Sequence, residues 1–114
     1  MPIISPDEIT ILERKATYEG GGGVKIPGTK TGTIYLTDKR FIFEYSDGLI
    51  SKRTFTPLDI SVSQIRNVNG EGMIAKKLVV EFEKNGGATG RVKFSTNGVD
   101  EWIKEIQVCI FDKN

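Results

Sequence analysis

Glycine divides this chain into short segments. The 114 residues include 13 glycines, four of them consecutive at positions 20–23 and others at Gly28, Gly32 and Gly48. Because glycine adopts positive φ without strain and weakens regular structure, such residues mark turns and loops. The segments between them are rich in β-branched and aromatic residues and predict strands over residues 9–18, 32–37, 40–46, 49–56, 76–83 and 91–96.

Residues 58–70, which follow Pro57, fit two interpretations. The apolar residues of this segment are Ile60, Val62, Ile65 and Val68. Their spacing is compatible with either a strand or a loop. With this segment included, about seven strands joined by short turns are predicted, a pattern typical of an antiparallel sandwich or barrel.

Two residues separate the second and third predicted strands. The third segment alternates Phe41, Phe43 and Tyr45 with Arg40, Ile42 and Glu44, and only Asp38 and Lys39 separate it from the second. This spacing predicts a tight hairpin. We expect Asp38 to accept hydrogen bonds from its own turn, Lys39 to lie exposed at the tip and Arg40 to open the partner strand. Asp38 and Arg40 therefore have a predicted structural role.

The C-terminal segment changes period. Its apolar residues recur at steps of three and four: Val99, Trp102, Ile103, Ile106, Cys109 and Ile110. This pattern predicts an amphipathic helix over residues 97–112, with Asn97 as N-cap and two acidic residues in the first turn. Trp102 is predicted to lie in the core, and Cys109 to be a buried, unreactive thiol.

The chain is predicted to be one domain over residues 1–114. Residues 1–8 are a lead-in, residues 9–96 form the sheet or barrel, and residues 97–112 form the helix. Within the lead-in, Ser5 and Glu8 have the spacing of a capping box, with Pro6 at the first helical position. We interpret this as an ordered helical turn before the first strand.

The residue types argue against catalysis. The chain has no His and one Cys, so a Ser-His triad is excluded and no internal disulfide can form. Glu81 and Glu83 lie two residues apart on a predicted strand, which is typical of a solvated face. We expect a non-enzymatic chain without catalytic, cofactor-binding or metal-ligating residues. One Cys and the absence of a leader or apolar span predict a cytoplasmic location.

Residues 23–31 come close to a phosphate-binding P-loop without matching it. That motif needs Lys directly after its second glycine, whereas Thr29 separates Gly28 from Lys30. A strand is also predicted where the motif needs a helix. Residues 20–31 are instead predicted to form a long, mobile hairpin loop, in which Lys25 and Lys30 can offer positive charge to a phosphate or an acidic peptide.

Charge is unevenly distributed along the chain. The totals are 16 basic and 15 acidic residues, and each end carries net −2: four acids and two bases in residues 1–20, and again in residues 97–114. Residues 21–96 therefore hold 12 bases and seven acids, net +5. Nucleic-acid binding is disfavoured by the near-neutral total. The basic middle instead suggests Lys25, Lys30, Lys39 and Lys52 as contacts for anionic lipid.

The segment from Gly32 to Phe43, GTIYLTDKRFIF, together with about seven strands and a C-terminal helix bearing Trp102, resembles the pleckstrin-homology-like superfold. Within it, the chain is most similar to the GRAM, GLUE and prokaryotic PH-like branch. The resemblance implies a strongly bent seven-stranded antiparallel sheet in two nearly orthogonal layers, capped by one helix. The side chains that plug the open end would be Val99, Trp102, Ile106 and Ile110.

Two hypotheses of function follow, because this superfold includes peptide binders and lipid binders. The first is a binding module for a protein partner or for a second copy of the chain, through an exposed strand edge or the groove between strand and helix. The second is weak peripheral binding of anionic, phosphoinositide-type phospholipid through the basic loop side. The predicted loop departs from the usual phosphoinositide pattern, since it lacks an Arg two places after a basic residue.

Overall fold

The computed structural model describes residues 4–22, 24, 26–48 and 52–112. Its strands are β1 (Thr10–Gly22), β2 (Lys30–Thr37), β3 (Arg40–Asp47), β4 (Arg53–Ser61), β5 (Ile65–Glu71), β6 (Lys77–Glu83) and β7 (Thr89–Thr96). A 3-10 turn, Val62–Gln64, connects β4 to β5, and the helix α1 (Val99–Asp112) follows β7. The mainly β architecture with one C-terminal helix is confirmed.

All seven strands belong to one antiparallel sheet, in the order β4-β3-β2-β1-β7-β6-β5. The 13-residue strand β1 lies at its centre. It pairs with β2 from Thr10 to Tyr18 and with β7 from Ala16 to Gly22. One strand therefore carries the hydrogen bonds of both halves of the sheet.

The glycine-rich segment is part of β1. A mobile loop was expected over residues 20–31, but β1 continues to Gly22 and β2 already begins at Lys30, so this expectation is wrong at both ends. The β1–β7 register shifts between Tyr18 and Gly21, which is a β-bulge. Gly21 has φ +132° and lies so close to the carbonyl of Arg91 that an added Cβ would overlap it.

Strand β4 differs from the strand predicted over residues 49–56, of which 49–51 lie outside the described residues. It begins at Arg53 and continues through Pro57 to Ser61. Proline has no N–H to donate and is tolerated in an edge strand, and β4 is an edge strand of this sheet. The ambiguous segment 58–70 thus contains the end of β4, the 3-10 turn and β5.

The core is enclosed by the sheet together with α1, and every strand contributes buried side chains to it. Phe41, Phe43 and Phe94 are fully buried, and the ring of Phe41 meets that of Trp102 edge to face at a centroid distance of 6.2 Å. On α1, Val99, Trp102 and Ile106 are buried, while Ile110 is partly buried against the same cluster. The helix lies against β5, β6 and the 3-10 turn.

The start of α1 differs from the prediction by one position. Trp102 N–H donates to the carbonyl of Gly98 at 3.0 Å, which makes Gly98 the N-cap instead of Asn97. The burial of Cys109 is confirmed. The indole Nε1 of Trp102 has no hydrogen-bond partner among the described residues. Trp102 therefore stabilises the core through the contacts of its rings and not through a hydrogen bond.

We predict that Gly21→Ala lowers the free energy of unfolding by at least about 2 kcal/mol, because Ala strains the positive φ and displaces the Arg91 backbone. Gly22→Ala is the matched control, since no atom lies within 4 Å of a Cβ added there. Its effect should stay within about 0.5 kcal/mol. Urea unfolding of both variants measures the difference, and equal effects would show that Gly21 is not constrained by β7.

Candidate functional site

The connections between strands fall into two groups, because adjacent strands of the antiparallel sheet alternate in direction. The β1–β2, β3–β4 and β6–β7 connections form one group, here called the loop end, and the β2–β3 and β5–β6 connections form the other, here called the turn end. Lys30 and Lys52 flank connections at the loop end, whereas Lys39 lies in the β2–β3 turn. The eight residues of β2 separate Lys30 from Lys39 by roughly 25 Å. Lys25 lies outside the described residues, so the structure brings two of these four lysines to one end.

At the loop end, Lys30 is already engaged. Its Nζ lies 3.1 Å from Asp47 Oδ2 and 5.6 Å from the centroid of the Tyr45 ring. The hydrogen bond from Lys30 lowers the pKa of Asp47 below its usual value. Tyr45 also stacks on Phe55 at 5.2 Å, and Phe55 is 42% exposed on β4. Sequence analysis did not single out this aromatic pair.

Three other basic side chains at the loop end are exposed. Lys52, Arg53 and Lys84 form no salt bridge with any residue that the structure describes. Lys52 and Arg53 lie at the start of β4, and Lys84 follows β6. Among the described basic residues of this end, these three are therefore free to meet an external anion.

The β2–β3 turn is built differently from the prediction. The hydroxyl of Thr37 accepts hydrogen bonds from the backbone N–H groups of Lys39 and Arg40, at 3.1 and 2.8 Å. Asp38 does not bond within its own turn as expected, but accepts from the N–H of Ile9 at 2.9 Å. Its backbone N–H donates to the Ile9 carbonyl at 3.0 Å. The turn is thus fastened to the segment before β1.

Glu8 is the centre of this connection, and its side chain is only 2% exposed. Arg40 donates to both carboxylate oxygens of Glu8, from Nε at 2.9 Å and from Nη2 at 3.0 Å. Thr37 and the backbone N–H of Ser5 also donate to it. Hydrogen bonds from Arg40, then from Thr37 and Ser5, outweigh burial and lower the pKa of Glu8 to about 2. The bond from Ser5 is one half of the capping box suggested by the sequence.

Arg40 joins the lead-in to a second strand. Its Nη1 lies 2.8 Å from Asp59 on β4, and the neighbouring Lys39 pairs with Asp7 at 2.6 Å. Each charged side chain in these bonds around the β2–β3 turn therefore has its partner within the chain. This arrangement is a structural connection between the lead-in, the turn and β4.

The acidic ends of the chain pair with its basic middle. Four salt bridges join them: Asp7–Lys39, Glu8–Arg40, Glu19–Lys77 and Asp100–Lys76. Within the middle, Glu71 lies between Arg91 and Lys93, and Glu83 pairs with Arg66. The net +5 of residues 21–96 is consequently spread over ion pairs and does not form one continuous basic face.

A groove separates edge strand β5 from α1. Its volume is about 170 Å³, and it is lined by Arg66, Asn67, Val68, Gln107, Ile110 and Phe111. Val68 and Ile110 form its apolar part, while Phe111 is 74% exposed at its rim. Because β5 pairs with β6 alone in the described sheet, its outer edge is unpaired by any strand. An apolar slot beside a strand edge suits an extended peptide that adds as a further strand.

The described part of the chain contains no cluster of three or more His, Cys, Asp or Glu side chains arranged to hold a metal ion. No helix within it is long and apolar enough to span a bilayer.

Comparison with solved structures shows the fold. The chain is similar to a chain in the crystal structure of the PDZ-RhoGEF DH/PH domains in complex with GTP-gamma-S-activated RhoA, with a TM-score of 0.67 and 10% sequence identity. The match covers 92% of this chain and 30% of that chain. No family model and no curated protein matches. The chain therefore has a pleckstrin-homology-like fold.

We predict that the free energy of unfolding of the wild-type protein decreases as the pH falls from about 4.5 towards 2. The Glu8→Gln variant should be less stable than wild type at neutral pH, and its free energy of unfolding should change less over this pH range. The pKa of Glu8 is lower in the folded chain than its ordinary value of 4.5, so its contribution is complete above 4.5 and lost as pH approaches 2. That contribution is at most about 3 kcal/mol. Urea unfolding across pH measures it.

Glu13→Gln is the control for this measurement, because Glu13 is an exposed carboxylate on β1. Its profile should follow that of the wild type. Identical profiles for Glu8→Gln and wild type would contradict the role of Glu8 in fastening the lead-in.

Proposed function

We propose that this chain is a non-catalytic, protein-binding module and that it binds an extended peptide segment of its partner in the groove between β5 and α1. The observation that carries the proposal is the conjunction of an unpaired strand edge with an apolar slot beside it. Backbone groups of β5 would pair with the peptide, and the slot would take one of its apolar side chains.

The chemistry of the groove supports a peptide as its occupant. Asn67 and Gln107 place amide groups at the slot, and Arg66 adds a guanidinium that is 54% exposed. Exposed Val108 and Phe111 on α1 extend the apolar surface beyond the slot. A surface with an apolar centre and polar donors around it is typical of peptide recognition.

The comparison is compatible with this proposal at the level of the fold. The similar solved structure is of a complex between DH/PH domains and RhoA, so a domain of this fold occurs there in a protein that binds another protein. We retain the GRAM, GLUE and prokaryotic PH-like branch as a proposal, on the hairpin at residues 36–43. A cytoplasmic location and self-association into a homo-oligomer are likewise proposals, the second through the same groove.

Peptides that bind the immobilised wild-type domain can be selected from a random display library. We predict that Phe111→Asp lowers the affinity for these peptides at least about tenfold, because it places a charge at the apolar rim of the groove. Phe55→Asp is the control, since Phe55 is an exposed aromatic residue on β4, outside the groove. Titration by fluorescence anisotropy measures both affinities. Amide NMR shifts should map to β5 and to the C-terminal half of α1.

Light scattering of the peptide-free protein tests self-association with the same pair of variants. An oligomer that dissociates in Phe111→Asp and persists in Phe55→Asp would support the groove as its interface. The proposal is contradicted if no peptide enriches, if the shifts map to the loop end, or if the two variants weaken binding equally.

The second candidate function is weak binding of anionic phospholipid at the loop end. It is favoured by three exposed cations, Lys52, Arg53 and Lys84, of which Arg53 lines one surface depression with the exposed Phe55. Lys25 remains a proposed contact. Lys30 would first have to leave Asp47, and Lys39 belongs to the opposite end.

We predict that, if this candidate is right, vesicles containing phosphatidylserine or phosphoinositide retain more protein than neutral vesicles at low salt, and that the excess disappears at high salt. Each lysine near an anionic membrane contributes about 1 kcal/mol, so the double variant Lys52→Glu with Arg53→Glu should remove most of the excess. Flotation measures the recovery. Equal recovery with neutral and anionic vesicles would exclude this function.

A further inference from the structure

The β5–β6 connection ends in an apolar tip, residues 72–75, at the turn end of the sheet. Met73 and Ile74 lie adjacent in this tip and are each 102% exposed. Single exposed apolar residues are common on protein surfaces, but two large neighbours with no contact to their own chain indicate an interaction site. Gly72, with φ +115°, turns the chain into the tip.

Two lysines, Lys76 and Lys77, directly follow the apolar tip in the chain. The aliphatic stem of Lys76 lies across Gly70, where an added Cβ would overlap it, and its Nζ reaches Asp100 at 2.9 Å. Lys77 pairs with Glu19 at 2.8 Å. Because the side chains of Lys76 and Asp100 are 48% and 81% exposed, their ion pair is weak and open to competition.

We propose that the apolar tip inserts into the interfacial region of a phospholipid bilayer, with Lys76 and Lys77 exchanging their carboxylate partners for lipid phosphates. A bilayer interface accepts apolar side chains to a depth of about 5–10 Å and attracts cations at its surface. The tip is uncharged, convex and fully exposed, and the cations follow it along the chain. The tip lies on the β5 edge of the sheet and Lys52 and Arg53 lie on the β4 edge, and neither Met73 nor Ile74 lines the peptide groove.

A second copy of the chain is the competing occupant, since the 170 Å³ groove beside β5 can take one apolar side chain. Size and charge disfavour it. The groove holds about 170 Å³, whereas Met73 and Ile74 are both fully exposed at the tip. The salt bridge between Arg66 and Glu83 leaves no net negative charge from that pair for Lys76 and Lys77 to meet. A phosphate-bearing surface offers both lysines the opposite charge, which is the basis for choosing the membrane.

The test combines flotation with site-specific fluorescence. Vesicles are phosphatidylcholine alone or mixed with phosphatidylserine, and the double variant Met73→Ser with Ile74→Ser should lower the partition coefficient at least about tenfold. Ile9→Ser is the matched control, because Ile9 is 67% exposed and lies in the segment before β1, outside both the tip and the peptide groove. It should partition like wild type. Thermal unfolding of all variants should coincide, since none of these side chains is buried.

A fluorophore that reports polarity is attached to Ile74→Cys; the only native cysteine, Cys109, is buried. Its emission should shift to the blue on addition of vesicles. The proposal is overturned if the emission does not shift at saturating lipid, or if the double serine variant floats like wild type. It is also overturned if the double variant abolishes self-association without vesicles while leaving flotation unchanged, because the tip would then bind protein.

Loss of flotation confined to Lys52→Glu with Arg53→Glu would assign membrane binding to the loop end and overturn the tip proposal. Neither result bears on the peptide groove, which is read separately from the Phe111→Asp titration.

Discussion

The two halves of the sheet depend on one strand, β1, which pairs with β2 along its first part and with β7 along its last. A strand can serve two partners displaced along its length only if its geometry changes between them, and the bulge before Gly21 provides that change. The glycines there allow the backbone of β7 to approach where a side chain would collide. The single sheet, its core and the position of α1 all follow from this pairing.

Local patterns predicted the elements whose determinants are local. Alternation around Phe41 and Phe43 gave β3, and apolar residues at helical spacing from Val99 gave α1 with Trp102 in the core. The glycine run was misread, because its place in β1 depends on the approach of Arg91, about seventy residues later in the chain. Asp38 was assigned to its own turn for the same reason: its partner, Ile9, is 29 residues away.

The function suggested by charge was likewise limited by what the sequence alone can show, because the sequence does not reveal which charges pair in the fold. Summed along the sequence, the acidic ends and basic middle suggested a cationic body that could meet a membrane. In the fold, the buried Glu8 forms a salt bridge with Arg40, while Glu19 and Asp100 form salt bridges with lysines of the middle segment. Segregation along the chain is therefore what allows ion pairs between distant segments. Among the described basic residues of the middle segment, only Lys52, Arg53 and Lys84 form no salt bridge. Only the structure distinguishes an exposed cationic surface from cations that are paired with distant carboxylates.

The open places of this sheet are its two edge strands, and they are not equivalent. Pro57 interrupts the row of donors along β4, which makes that edge a poor template for a further strand. Strand β5 contains no proline, and α1 packs beside it in a way that leaves an apolar slot open. The same strand leads at its far end into the exposed Met73 and Ile74. An unpaired edge, a slot beside it and an apolar tip beyond it are the features of β5 on which both proposals rest, whereas Pro57 leaves β4 without one backbone donor.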